Sequence, residues 1–466
     1  MKKNLIKSIS FVLVTVLMMT MLAGCGNSNK TSTKGNEKIT ITVGKWPGAG
    51  DTPERKELYE NYKKEFEEKY PNIEVKGDTW TFDVKTFAVK AAANQLPTLY
   101  NVFFTETSKV LKGNYAADIT EAMDEYGFMD SLNPDLLSLI TDENGRCYGI
   151  PMSAYAQGLY INKAIFKEAG LVNEDGSIKV PNTYLEMAEY GKIIKEKTGK
   201  AGFILPTNGN GGGWFLLNIG YAFGVDFIEE QKDGRWKATF DTPEFRDTLQ
   251  YIHDLKWKYN ALHDNALISV LDALKMFGTY QGGMTFYRPH ASEMKIQYGM
   301  KIEDIYAARI PEGKAGRISQ MGGEYWAISS SATKEQIDAC FKWLEFTGTT
   351  PKVTEERKQK LSENAKINKG IIVGREVYDV WVNPEYIEAR KEAEAPYINV
   401  DFKDYEDYYS FKDVTIYPEP EVASQELYSV LDKAIQEILS NQDVDINALA
   451  TATVDDFQKN HLDKLD

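Results

Sequence analysis

The residues of this chain best placed to do chemistry are aromatic rings and carboxylates that sit beside glycines or at the ends of alternating apolar runs. Trp46 lies in Gly44-Lys-Trp-Pro-Gly48, Trp80 follows Ile73-Glu-Val-Lys76, and Trp214 directly follows Asn208-Gly-Asn-Gly-Gly-Gly213. Tyr287 and Arg288, then Glu324, Tyr325 and Trp326, come shortly after Gly-Gly pairs. Flat rings stack on apolar ligand faces, and Glu106, Arg288 and Glu324 can each hold two neighbouring hydroxyls. Glu106 and Glu324 can also be cast as the two carboxylates of a glycoside hydrolase, which stand roughly 5 to 10 Å apart. Little else points to covalent chemistry. There is no nucleophile elbow, and His253, His263, His290 and His461 lack ligand spacing. The glycine-rich loop lacks the Gly-Lys-Ser/Thr of a phosphate cradle, so its glycines read as letting backbone approach a ligand beside Trp214. Asp142 to Pro151 holds an Asn-Gly turn without the oxygen spacing or closing Glu of a calcium loop. The reading is binding, with no catalytic residue, metal or cofactor.

The first residues set Lys2, Lys3 and Lys7 ahead of an uncharged run from Ile9 to Leu22. That run is shorter than the roughly 20 apolar residues that cross a bilayer, and it reads as a removed signal over residues 1–24. Leu22-Ala-Gly-Cys25 resembles the lipobox of bacterial lipoproteins, which makes Cys25 the point of lipid attachment. Residues 25–38 then form a polar leash. The net charge of -15 becomes about -18 without the signal lysines, which argues against nucleic acid and against wide adhesion to anionic lipid. The remaining cysteines, Cys147 and Cys340, are far apart and read as free, mostly buried thiols.

Ile39 to Val43 alternates as a strand, Leu58, Tyr59, Tyr62, Phe66 and Tyr70 recur at helical spacing, and strands at Ile73 and at Leu99 to Phe104 follow. Strand and helix in alternation predict a parallel α/β sheet, with Trp46, Trp80 and Glu106 in loops at the carboxyl ends of its strands. Helices are predicted over Tyr184 to Lys197, after Thr242, after Thr333 and over Leu427 to Leu439. Gly322-Gly reads as a turn feeding a short strand. The charged region Glu355 to Lys412 reads as solvated helix and surface loop within an insertion over 350–420.

Cys147-Tyr-Gly-Ile-Pro151, Leu159-Tyr-Ile-Asn-Lys-Ala-Ile-Phe-Lys-Glu-Ala-Gly-Leu171, Pro181-Asn-Thr-Tyr184, Gly282-Gly-Met-Thr-Phe286 and Gly322-Gly-Glu-Tyr-Trp-Ala-Ile-Ser329 together resemble the family 1 extracellular solute-binding proteins, the receptors of ABC importers. The resemblance implies an α/β, two-lobe periplasmic-binding-protein-like type II fold, each lobe a mostly parallel sheet with flanking helices and a hinge between. It places 39–154 and 283–330 in the N-terminal lobe and 155–282 and 331–466 in the C-terminal lobe. Crossovers fall near Ser153 to Gln157 and Gly282 to Thr285. It implies a monomer, lipid-anchored on the extracytoplasmic face of the membrane, that hands a sugar or oligosaccharide to an ABC permease. Trp46, Trp80, Trp214, Tyr287, Tyr325 and Trp326 would serve as plates for sugar faces, Glu106, Arg288 and Glu324 as hydroxyl partners, and Tyr155 as a ring on the hinge side. The alternatives are a receptor for a peptide, iron or polyamine, an anchored adhesin or sensor, and a glycoside hydrolase.

Overall fold

The computed structural model describes residues 38–287, 291–367, 379–398, 401–410 and 412–465. The signal segment, Cys25 and the leash to residue 37, as well as Arg288 and His290, lie outside the described residues. Ile39–Asp466 forms one compact unit, so a chain begun after Cys25 keeps every element described below. Among the described residues no helix is long and apolar enough to cross a membrane.

The first sheet grows from the expected alternation. β1 (Ile39–Val43) pairs in parallel with β2 (Ile73–Gly77) and β3 (Leu99–Phe103). The helix Pro53–Lys69 connects β1 to β2. Thr52 Oγ1 accepts from the Arg55 N–H, Pro53 takes the first position, and Tyr62 and Phe66 are buried. β4 (Ile150–Ala156) leads after one residue into β5 (Gly158–Asn162), and β5 belongs to the other sheet. That sheet adds β6 (Ala201–Phe203), is followed by a small hairpin of β7 (Ile228–Glu230) and β8 (Trp236–Ala238), and closes with β9 (Gly282–Tyr287) and β10 (Ile305–Ala308). Its order is β10-β5-β9-β6. Only the β6 and β9 pair in it is parallel, so the sheet is mixed where a mostly parallel one was expected.

β11 (Arg317–Ile328) binds the lobes together. It pairs in turn with β12 (Val414–Tyr417), β4 and β3, giving the order β12-β11-β3-β1-β2 with β4 alongside. Gly322 and Gly323 lie inside this unbroken strand, with no turn at that point. The expected crossover at Gly282 to Thr285 is likewise displaced: β9 runs from Gly282 opposite Ala201 to Tyr287 opposite Gly158 without leaving the second sheet.

The cores place the remaining segments. Met284, Phe286, Ala308 and Ile310 share a cluster with Leu159 and Leu249, so β9, β10 and Ile310 pack with the second lobe. Cys340, Phe341, Trp343 and Phe346 of the helix Lys334–Thr347 share a cluster with Ile41 and Val75, as do Trp381 and Tyr386, so that part of 331–466 packs with the first. The charged segment is less solvated than its composition suggested. Arg357, Lys360 and Arg390 are buried, and Arg390 pairs with Asp379 at 2.7 Å. Past residue 398 the chain returns to the second lobe, where Asp404 meets Lys163 at 2.7 Å and Asp407 meets Arg309 at 2.8 Å.

The glycine-rich loop opens the helix Gly211–Phe223, and its glycines admit another helix rather than a ligand. A Cβ on Gly213 would stand 2.3 Å from the Tyr428 carbonyl oxygen and 2.4 Å from its Cα, both on the helix Ser424–Ser440. The exposed N–H groups at the helix start are taken by Asp432, which accepts from Asn210 at 2.7 Å and Gly213 at 2.8 Å. A backbone clash cannot be relieved by a rotamer change, so Gly213→Ala is expected to destabilise the protein by about 2 kcal/mol or more, read from the urea midpoint. Cys147 and Cys340 are free and fully buried, and burial pushes the Cys147 thiol up to about 11. Neither should react with a thiol reagent at pH 8 in the native chain from Gly26, and both should react in denaturant.

Candidate functional site

At the crossing, β4 and β11 run antiparallel with Ala156 opposite Met321 and Tyr155 opposite Gly322. The Tyr155 ring covers Gly322, where a Cβ would come within 2.9 Å of it, and it meets Trp214 edge to face at 6.3 Å. Trp214 stands at the start of the helix Gly211–Phe223, half-buried, with its other neighbour Phe215 at 5.4 Å. The indole Nε1–H donates to Glu419 Oε1 at 3.1 Å. Tyr428 Oη donates to the same oxygen at 2.9 Å and accepts from Gln320 Nε2 at 2.8 Å. Gln320 is on β11, where its N–H donates to Asn218 Oδ1 at 2.8 Å. A ring, a carboxylate and the shared strand are thus joined by one chain of hydrogen bonds.

Burial pushes the Glu419 carboxyl up to about 8, against the pull of the Tyr428 and Trp214 donors, and the negative charge of Glu106 adds to the rise. Glu106 belongs to the first lobe, in the turn Phe104–Glu106 that follows β3, and is 2% exposed. Burial raises its carboxyl also, opposed by Lys109 at 2.6 Å. Lys109 reaches Glu426 of the second lobe at 3.7 Å, and Gln425 Nε2 donates to Thr105 Oγ1 at 3.3 Å. A cavity of about 500 Å³ opens there, with Thr105, Glu106 and Lys109 on one wall and Val422, Glu426 and His461 on the other. Its walls come from both lobes, and Tyr155 and Trp214 stand outside its lining.

The structure thus brings Tyr155, Trp214 and Glu106 to the region between the lobes. Other expected site residues lie elsewhere. Trp46 is in the first core, stacked on Trp343 at 5.8 Å, with its indole N–H donated to Glu60. Tyr325 and Trp326 are buried because the first core packs on the faces of β11, and Tyr325 stacks on Phe104. Glu324 accepts from Lys45 Nζ on Oε1 at 2.6 Å and from Asn101 Nδ2 on Oε2 at 2.8 Å, which ties β11 to β3 and to the loop after β1. Trp80 is half-buried between Tyr100 and the Lys90 ammonium, and Tyr287 is half-buried 6.3 Å from Tyr160. Glu419, Tyr428 and Gln320 were missed from sequence. The signal for Glu419 was its place between Pro418 and Pro420, whose rigid rings fix the backbone just after a strand. Among the described residues no group of His, Cys, Asp and Glu could hold a metal ion. His263 is buried with Nε2 against the Leu205 carbonyl, and His253 Nε2 lies against the Gln442 carbonyl.

The multiple sugar-binding protein of Streptococcus mutans is 26% identical to this chain over 356 residues, 74% of this chain and 79% of that protein. The arabinooligosaccharide-binding protein of Halalkalibacterium halodurans is 27% identical over 263 residues, 53% of this chain and 51% of its own length, so this chain spans about half of that relative. Maltose-bound MalE3 of T. maritima superposes with a TM-score of 0.67 at 21% identity, over 90% of this chain and 99% of that one, which supports the two-lobe fold. Residues 49–351 match the family model described as bacterial extracellular solute-binding protein. That match spans more than half of the sequence, and the chain belongs to the bacterial extracellular solute-binding protein family.

Proposed function

We propose that this protein is the receptor of an ABC importer, that it captures a sugar or oligosaccharide between its lobes, and that it hands the ligand to the membrane permease. The observation that carries the reading is Trp214, a half-buried ring at the junction of the crossing strands with its indole N–H fixed by Glu419. An aromatic face and oriented oxygens are what the C–H face and hydroxyl rim of a sugar require. Relatives named for sugars and arabino-oligosaccharides support the ligand class. A hydrolase is a poorer reading, because Glu106 is paired with Lys109 and Glu324 with Lys45 and Asn101. The protein acts as a monomer without a cofactor, anchored at the outer face of the membrane through acylated Cys25. Ligand shifts the population toward the closed form, and the permease reads that form.

A thermal-shift screen of the chain from Gly26 against mono- and oligosaccharides should give at least one sugar that raises the melting temperature. A rise with a peptide, a polyamine or iron and with no sugar would overturn the ligand class. Trp214→Ala should weaken binding of the best sugar by roughly 10- to 100-fold, the loss of one stacked aromatic face. In the producing cell, the wild-type protein should incorporate labelled palmitate and Cys25→Ser should not. A wild-type protein without label would rule out the lipid anchor.

A further inference from the structure

We propose that Glu419 is the positioning residue of the cleft, holding the plane of Trp214 through the indole N–H and tying that ring, by way of Tyr428, to Gln320 on the strand both lobes share. The inference rests on the reading of Trp214 as a ligand plate. Three hydrogen bonds carry it: Trp214 Nε1 to Glu419 Oε1 at 3.1 Å, Tyr428 Oη to the same atom at 2.9 Å, and Gln320 Nε2 to Tyr428 Oη at 2.8 Å. Among the described residues no cation pairs with Glu419, whereas Glu106, Glu324 and Glu426 each have a lysine within 4 Å. Both donors on Oε1 are neutral, so they hold the carboxyl in place and favour its ionised form less than burial opposes it.

The groups that act on it are Trp214 and Tyr221 of the helix Gly211–Phe223, Tyr428 of the helix Ser424–Ser440, and, from the first lobe, Glu106, which is itself paired with Lys109. Glu106 is acidic and disfavours a second charge, and the tyrosines stay neutral near pH 8 because burial raises Tyr221 and Tyr428. Glu419 therefore changes charge within the physiological range, at about pH 8. A ligand that stacks on Trp214 and closes the cleft takes further water from Glu419, which raises the bound-state pKa above the free-state one. Binding is then strongest below the free-state pKa and weakens as pH rises through the bound-state value, by up to about tenfold per pH unit.

The test uses the chain from Gly26 with nitrogen-15 label, and the Trp214 indole resonance is assigned by its absence in Trp214→Phe. Without ligand, that resonance should titrate with a midpoint near pH 8, and in Glu419→Gln, which keeps the acceptor but not the charge, it should be flat. Tyr428→Phe should move the midpoint upward by removing a donor to the carboxylate. The affinity of the best sugar should fall between pH 7 and 9.5 in wild type and stay constant in Glu419→Gln, while Glu419→Ala should bind at least tenfold more weakly at every pH. An indole signal that ignores pH, or titrates alike in wild type and Glu419→Gln, overturns the proposal. Sugar binding with the same pH profile in both overturns it too and leaves the receptor reading standing. A titrating indole that goes flat in Glu419→Gln, in a protein that binds no sugar, supports the positioning role and removes the carbohydrate reading.

Discussion

The structure depends on one strand, β11, being paired along its whole length as it passes from lobe to lobe. Its backbone N–H and C=O groups, buried along the whole run, must find partners. They do so with β12 from Arg317 to Gln320, with β4 from Met321 to Trp326, and with β3 from Glu324 to Ile328. A paired strand does not stretch, so β11 holds the lobes at a fixed spacing where it crosses. The two glycines at its middle make this possible. A Cβ on Gly323 would lie 2.4 Å from the Ser153 carbonyl oxygen and 2.5 Å from the Phe104 ring, and one on Gly322 would meet Tyr155. Without side chains there, Tyr155 lies flat over the strand and its edge reaches Trp214.

Around this crossing, buried acids are compensated in different ways. Glu324 has a lysine and an amide, Glu106 has a lysine, and Asp432 has helix-start N–H groups. Each pairing offsets the loss of water that an ionised carboxylate suffers on burial. Glu419 has an indole and a phenol, which orient it but carry no charge. The protein therefore keeps one carboxyl beside Trp214 whose partners among the described residues are neutral donors.

The alternating and helical periodicities made the first sheet legible, down to Thr52 and Pro53 at the start of its first helix. The family motifs carried the two-lobe architecture. Segment ownership was less legible, because a Gly-Gly pair signals the absence of side chains and not what fills the space. At Gly322 the space is filled by Tyr155 from a neighbouring strand, and at Gly213 by another helix, so neither pair marks a turn or a ligand. Aromatics beside such pairs read as ligand plates for the same reason. Tyr325 and Trp326 are covered by the first core, which gathers residues from distant segments that no local window contains. Trp214 differs in being the first bulky residue of a helix whose start faces the crossing. Glu419, Tyr428 and Gln320 come from segments about 100 residues apart or joined only through a proline-flanked turn, and their meeting depends on tertiary contacts alone.

The contacts that already cross between the lobes explain why a ligand can decide the outcome. Gln425 to Thr105 is a single neutral hydrogen bond of 3.3 Å, and Lys109 to Glu426 is a 3.7 Å ion pair with both side chains about a third exposed. Pairs of that kind contribute between nothing and about 1 kcal/mol. The cavity beside them draws its walls from both lobes, so a molecule bound there adds contacts that the open form lacks. If the lobes were latched by strong buried pairs, closure would occur without cargo and carry no information. With contacts this weak across the gap, a molecule that bridges the lobes can decide between open and closed, which is what the proposed receptor role requires.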